Sequence, residues 1–188
     1  MVEIIKIETK RLLLRQWKKE DWKLFSNLNS NPRVMEFFPN VLNRSESDKM
    51  AQRLQSQIAK QGWGFWAVEL RDNSDFIGFV GLNKPTYDLP FSPCVEIGWR
   101  LSDKFWGKGY ATEAARSALE FGFTQLRLNE IVSFAPVINT NSINVMEKLN
   151  MRNSGEYFAH PAIPEGSTLS KHCLYKLSSA EWNKKQEI

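Results

Sequence analysis

VEIGWRLSDKFWGKGYATEAARSALEFGF, residues 95–123, runs from a strand through a glycine turn straight into a helix. Glycine at 107 and 109 permits positive φ and lets main-chain N–H groups come close to a bulky anion. The helix, read over Thr112 to about Gln125, aims its unpaired first-turn amides and the positive end of its dipole at the same spot. Those parts make a phosphate cradle. A Walker loop is excluded, because Lys108 is followed by Gly109 and not by Ser or Thr. A dinucleotide fingerprint is excluded as well: its third glycine position falls on Thr112, and the loop lies past the middle of the chain. A pyrophosphate held by a GxGxA turn remains. Gly-x-Gly ahead of a helix also serves as a plain tight turn. The small-residue stripe Ala111, Ala115, Ala118 and Gly122 argues for more, since it lets the helix sit close against a sheet, with Phe121 and Phe123 as core.

Downstream, EIVSFAPV (Glu130–Val137) reads as a strand, Ser142–Leu149 as a helix, and Glu156–Ala159 and HCLYKL (His172–Leu177) as further strands. Strand, crossover helix, strand predicts a parallel pairing of Val95–Leu101 with Glu130–Val137. Upstream, Leu12, Leu14 and Trp17 alternate as in a strand. Trp22, Phe25 and Leu28 set a helix over Glu20–Asn29, and Met50, Leu54 and Ile58 set another over Ser45–Gln61. Gly62 and Gly64 end it. FWAVEL (Phe65–Leu70) and FIGFVGL (Phe76–Leu82) then form a hairpin across RDNSD. The loop holding Pro85, Pro90 and Pro93 is long for a connection, and such loops often carry binding residues. A mixed α+β sandwich results, expected as a single domain over residues 1–188.

Apolar residues at 42%, with 12 Phe and 7 Trp, supply volume for a core, and interspersed charge at 24% excludes wholesale disorder. A pI near 9.1 and many aromatics raise an RNA-binding surface. It would show affinity falling steeply with salt, but a net charge of only +4 and the lack of a basic cluster argue against nucleic acid. Cys94 and Cys173 form no CxxC and stand near no histidine at metal-ligand spacing, so reduced thiols and no metal are expected. MVEIIKIETKR lacks the apolar run of a signal peptide, and no stretch approaches the ~18–20 apolar residues of a membrane span. A cytoplasmic protein without a membrane partner is the expectation.

The residues resemble the GNAT superfamily of N-acetyltransferases, in the branch related to ribosomal-protein N-terminal acetyltransferases. ETKRLLLRQW (Glu8–Trp17) looks like that branch's opening strand, and NPRVMEFF (Asn31–Phe38) like its loop between the first helices. EIGWRLSDKFWGKGYATEA (Glu96–Ala114) looks like the cofactor motif, and PVINTNSINVMEKLNM (Pro136–Met151) like the second cofactor block. The resemblance implies a mostly antiparallel central sheet with one splayed parallel pair and helices on both faces. It implies acetyl-CoA as cosubstrate and a primary amine, of a small molecule or a peptide, as acceptor. By position, the main chain of Trp99, Arg100 and Leu101 would pair with the pantetheine arm. Gly107, Lys108, Gly109, Tyr110, Ala111 and Thr112 would supply amides to the pyrophosphate. Asn139 would hydrogen-bond the pantetheine amide region, and Ser142 would lie near the sulfur and protonate the leaving thiolate. Monomers or homodimers are expected by the same analogy. Trp106 stands where the superfamily usually has Gln or Arg, Met146 where many members have a general-acid Tyr, and Asn150 where a Gly is usual.

Amide formation requires that a proton leave the ammonium group and that the reactants be held together. Glu96, opening the cofactor strand, is the first candidate for base or water relay, against a plain edge carboxylate paired with a surface cation. His160 and His172 are alternatives by type. Phe37, Phe38, Trp63 and Trp66 are aromatic candidates for the acceptor wall, with His160 beside them, although ordinary core packing competes for each. The rival to an enzyme is an acetyl-CoA sensor of the same fold that has lost turnover.

Overall fold

A computed structural model of the chain describes residues 2–184. Met1 and residues 185–188, the two ends of the expected domain, lie outside the described residues. The chain forms two compact units, one of the residues up to Leu82 with Gly98–Ala118, the other of Asn83–Ile97 with the residues from Leu119 onward.

In the first unit β1 (Ile7–Glu8), β2 (Leu12–Arg15), β3 (Phe65–Leu70) and β4 (Phe76–Asn83) pair antiparallel in chain order. β3 and β4 are buried along nearly their whole length, which is why FWAVEL and FIGFVGLN show so little alternation. α1 (Asp21–Asn29) and α2 (Arg44–Gln61) belong to this unit. Asn43 caps α2: its side chain accepts from the Glu46 N–H, and the Glu46 carboxylate accepts from the Asn43 N–H. Gly62, at φ 86°, ends it. Phe25 packs 4.9 Å from Trp17 and 5.9 Å from Phe79 in edge-to-face contacts. Arg15 lies between Asp21 at 2.7 Å and Glu69 at 2.6 Å, and all three are buried. Burial pushes the Glu69 carboxyl up, but hydrogen bonds from Arg15 and Lys18 outweigh it and hold it below its ordinary value.

In the second unit the start of β5 (Glu96–Leu101) pairs with β6 (Glu130–Pro136) in parallel, Glu96 opposite Val132. β6 pairs antiparallel with β8 (Lys171–Ser178), and β8 with β7 (Arg152–Ala159). The strand order is β1-β2-β3-β4-β5-β6-β8-β7. This is the expected mixed α+β sheet with one parallel pair. α3 (Tyr110–Thr124) and β5 each contribute residues to both units. α4 (Thr140–Lys148) and α5 (Ser179–Lys184) follow, and Phe123 of α3 stacks on Trp182 of α5 at 5.5 Å.

β1, a 3₁₀ turn at Asp103–Phe105 and α5 were not anticipated from sequence. α3 and α4 begin at Tyr110 and Thr140, ahead of the expected Thr112 and Ser142, because the chain turns into helix directly after Gly109 and Asn139. Among the described residues no helix is long and apolar enough to cross a membrane.

Candidate active site

The glycine turn belongs to the first unit. Gly107 and Gly109 take φ of 74° and 79°, the positive values their positions called for. Gly107, Lys108 and Gly109 are exposed, and a Cβ placed on Gly107 would meet nothing within 4 Å. The glycine serves conformation and access there, not packing. The Glu113 N–H reaches Gly109 O at 3.0 Å, which opens the α3 ladder. Among the described residues, the N–H groups from Gly107 to Thr112 meet no acceptor. Such a run at a helix N-terminus has the geometry in which main-chain amides can bind an anion. Lys108 adds an ammonium, 5.5 Å from the Phe105 ring.

Sequence reasoning missed what holds this turn. Arg11 donates Nη1 to Lys108 O at 3.0 Å and Nε to Glu113 Oε2 at 2.6 Å, and its guanidinium lies 4.5 Å from the Tyr110 ring centroid. Thr9 Oγ1 donates to Glu113 Oε1 at 2.6 Å, as does the Arg11 main chain at 2.9 Å. Burial raises the Glu113 carboxyl, yet the bonds from Thr9 and Arg11 win and hold it below its ordinary range. The turn is therefore clamped from the N-terminal hairpin. Trp106, the departure from the family pattern, donates its indole N–H to Leu101 O at 2.9 Å.

Within β5 the residues expected to meet the pantetheine arm divide. A Cβ on Gly78 of β4 would collide with the Arg100 carbonyl, so that carbonyl faces β4. By strand alternation the backbone groups of Trp99 and Leu101 face the other way. Arg100 thus offers its side chain rather than its main chain.

In the second unit, Asn139 caps α4, its Oδ1 accepting from the Ser142 N–H at 3.1 Å, so these two expected residues are brought together. Met146, at the position of the missing tyrosine, is 1% exposed and belongs to the core. Asn150 does adopt positive φ, 62°, as the glycine it replaces would. Glu96 accepts from Asn83 Nδ2 at 2.7 Å, and burial, only partly opposed by that bond, pushes its carboxyl up to about 7. The reading as a surface-paired edge carboxylate is thereby corrected. Among the described residues no ion pair reaches Glu96. At Cys94, burial first, then the Glu96 and Glu130 charges, push the thiol up to about 11, which disfavours the nucleophilic thiolate. His160 and His172 pack ring against ring at 4.9 Å among Phe134 and Phe158. Burial and the neighbouring His172 push His160 down to about 4, and burial lowers His172 too.

The aromatic wall is only partly as expected. Phe37 and Phe38 are half-buried, with Phe38 4.0 Å from the Arg100 guanidinium. Trp66 is fully buried, donates its indole N–H to Ile5 O at 3.0 Å, and is a core residue rather than a wall of an acceptor pocket. Trp63 is likewise buried. Among the described residues no cluster of His, Cys, Asp or Glu is placed to hold a metal ion.

A family model of the acetyltransferase (GNAT) domain matches residues 11–152. The uncharacterized N-acetyltransferase YnaD of Bacillus subtilis (strain 168) is 31% identical over 178 residues, which span 94% of this chain and 99% of that protein. A GNAT-family acetyltransferase of Bacillus anthracis, known from its crystal structure, superposes with a TM-score of 0.78 at 27% identity, over 94% of this chain and 100% of that one. Mycobacterium smegmatis RimJ, solved in complex with CoA-disulfide, shares the fold with a TM-score of 0.72 at 19% identity, over 90% and 83% of the two chains.

Proposed function

The chain belongs to the acetyltransferase (GNAT) family, and from that premise we propose that it is a single N-acetyltransferase domain that moves the acetyl group of acetyl-CoA onto a primary amine by direct attack. The observation that carries the cofactor half is the run of N–H groups from Gly107 to Thr112 without acceptors among the described residues, exposed over Gly107, Lys108 and Gly109. These amides fit a pyrophosphate, which offers several charged oxygens at once. Trp99 and Leu101 hold the pantetheine arm through their main chain, Leu101 through its N–H, since its carbonyl already accepts from Trp106. Asn139 contributes its side-chain N–H groups, its Oδ1 being engaged as the cap of α4.

Acetyl-CoA supplies a thioester carbonyl open to attack. Glu96 takes a proton from the acceptor's ammonium group, directly or through water, and so frees the nitrogen lone pair. The C–N bond forms and the C–S bond breaks; the nitrogen gives up its second proton to solvent, and the leaving thiolate is protonated by solvent directly or by Ser142, which solvent then reprotonates. Glu96 suits this task because a base works best when its pKa lies near the working pH. The test is release of free thiol from acetyl-CoA with an amine panel. Release that depends on an amine supports the reading, and cofactor binding without release from any amine supports the sensor. Met146 in the core is the one observation favouring that second reading, because it removes a familiar proton donor. Cys94 and Cys173, both free thiols, suit a reducing cytoplasm.

Arg11→Ala tests the clamp. Its contacts to Lys108 O and Glu113 are part-exposed, so their loss is expected to raise KM for acetyl-CoA about fivefold, roughly 1 kcal/mol, with a smaller change in kcat. An unchanged KM would show that the turn holds its shape unaided.

A further inference from the structure

Arg100 and Arg15 are both buried arginines of the first unit, 8% and 5% exposed. Arg15 meets two carboxylates. Among the described residues, none reaches Arg100. Its Nη1 donates to Asn29 Oδ1 at 2.8 Å and lies 3.8 Å from Met50 Sδ, while its Nε meets no acceptor. Asn29 is itself fixed, donating Nδ2 to Ser47 Oγ at 2.9 Å. The rings of Phe38 and Phe79 lie 4.0 and 5.5 Å from the guanidinium carbon. A neutral amide and ring faces stabilise a buried cation only in part. Burial accordingly pushes this guanidinium down to about 9.

We propose that Arg100 is the receptor for a carboxylate on the acceptor, so that the amine acetylated belongs to an amino acid or a peptide bearing a carboxylate and not to a polyamine or an aminoglycoside. The proposal rests on the acetyltransferase reading and names its substrate class. A guanidinium presents its donors as a planar fork that matches the two oxygens of a carboxylate. The single charge, with a neutral Asn29 beside it, matches a monoanion. Arg100 extends from β5, the strand whose backbone is assigned to the pantetheine arm. Phe38, which covers it, lies in the segment between α1 and α2, which carries no helix or strand, and is half-buried. A carboxylate reaches the guanidinium when the Phe38 ring swings aside, and it then accepts the hydrogen bond of the Nε–H that now has no acceptor.

The experiment compares matched acceptors: amino acids and dipeptides against their C-terminal amides, with spermidine as a cationic control. In the full chain, kcat/KM is expected to favour each acid over its amide by roughly thirtyfold, chiefly through KM, the scale of a charged hydrogen-bonded pair. Arg100→Met brings that ratio close to one, and Arg100→Lys keeps a fraction of it. Thermal melting in the absence of acceptor separates this role from a structural one. Removing an unpaired buried charge should leave Tm unchanged or raise it, whereas a fall would mark Arg100 as a structural residue and overturn the proposal. A ratio near one in the wild type, or a ratio that survives Arg100→Met, also overturns it while leaving the acetyltransferase reading intact. If no acceptor releases thiol, that reading fails, and melting decides on Arg100. N-acetylated amino acids that raise Tm of the wild type but not of Arg100→Met support the carboxylate site, and equal shifts or none reject it.

Discussion

Glu96→Gln should lower kcat/KM about a hundred- to ten-thousandfold, the span covered by a positioned general base. Gln keeps the Oε1 acceptor that Asn83 Nδ2 meets at 2.7 Å, so the fold and the cofactor turn are left in place. The pH profile carries the sharper test. Burial raises the Glu96 carboxyl to about 7, so it is protonated and inactive as a base below that pH and ionised above it. The wild-type rate is therefore expected to climb through about pH 7. The acceptor's own deprotonation adds a rise at higher pH that both proteins share. In Glu96→Gln the climb near 7 disappears. If it persists, Glu96 is not the base. A climb near 7 would not come from His160, since burial and the neighbouring His172 push its titration down to about 4.

Arg15→Met is expected to cost about 3–5 kcal/mol, because Asp21 and Glu69 would remain buried without the guanidinium that lies 2.7 and 2.6 Å from them. For a chain of this length that lowers Tm by roughly 10 °C. Lys18, 3.1 Å from Glu69, is half exposed and replaces little of the loss. Acid supplies a second readout. In the wild type the Glu69 carboxyl is held below its ordinary value, so its stabilising contribution is present above that value and lost as pH falls through the lowered one. In the variant, protonating Glu69 relieves a buried charge. The stability gap between the two proteins should thus narrow in acid, as followed by denaturant melts. A gap below about 1 kcal/mol at neutral pH would place this network with the ion pairs that contribute nothing measurable.

The turn at Gly107 and Gly109 was legible because only glycine takes its φ values cheaply, and the elements around it announced themselves through aliphatic and aromatic runs. β5–β6 pairing followed from the strand, helix, strand order. β1, with only Ile7 and Glu8, is too short to carry a period. The clamp was invisible for another reason: Arg11 and Glu113 stand 102 positions apart, and nothing in either local pattern points to the other. Side-chain type misled at Trp66, where an indole useful for binding is equally useful in a core. At Glu96 the residue was legible, but the burial that gives it a near-neutral pKa was not. Arg100 is the clearest case. The resemblance assigns a role to its main chain alone, and only the folded structure exposes a buried cation without a counter-charge among the described residues.

The two thiols bear on how the protein survives chemical stress. Cys94, with its pKa near 11, is about one part in a thousand thiolate at pH 8. Cys173 is 3% exposed, and burial raises its thiol as well. Peroxide and alkylating agents attack the ionised form of a thiol, so both cysteine sulfurs are slow targets and thiol oxidation should be slow. Disulfide dyes that report a liberated thiol will accordingly find little background from the protein itself.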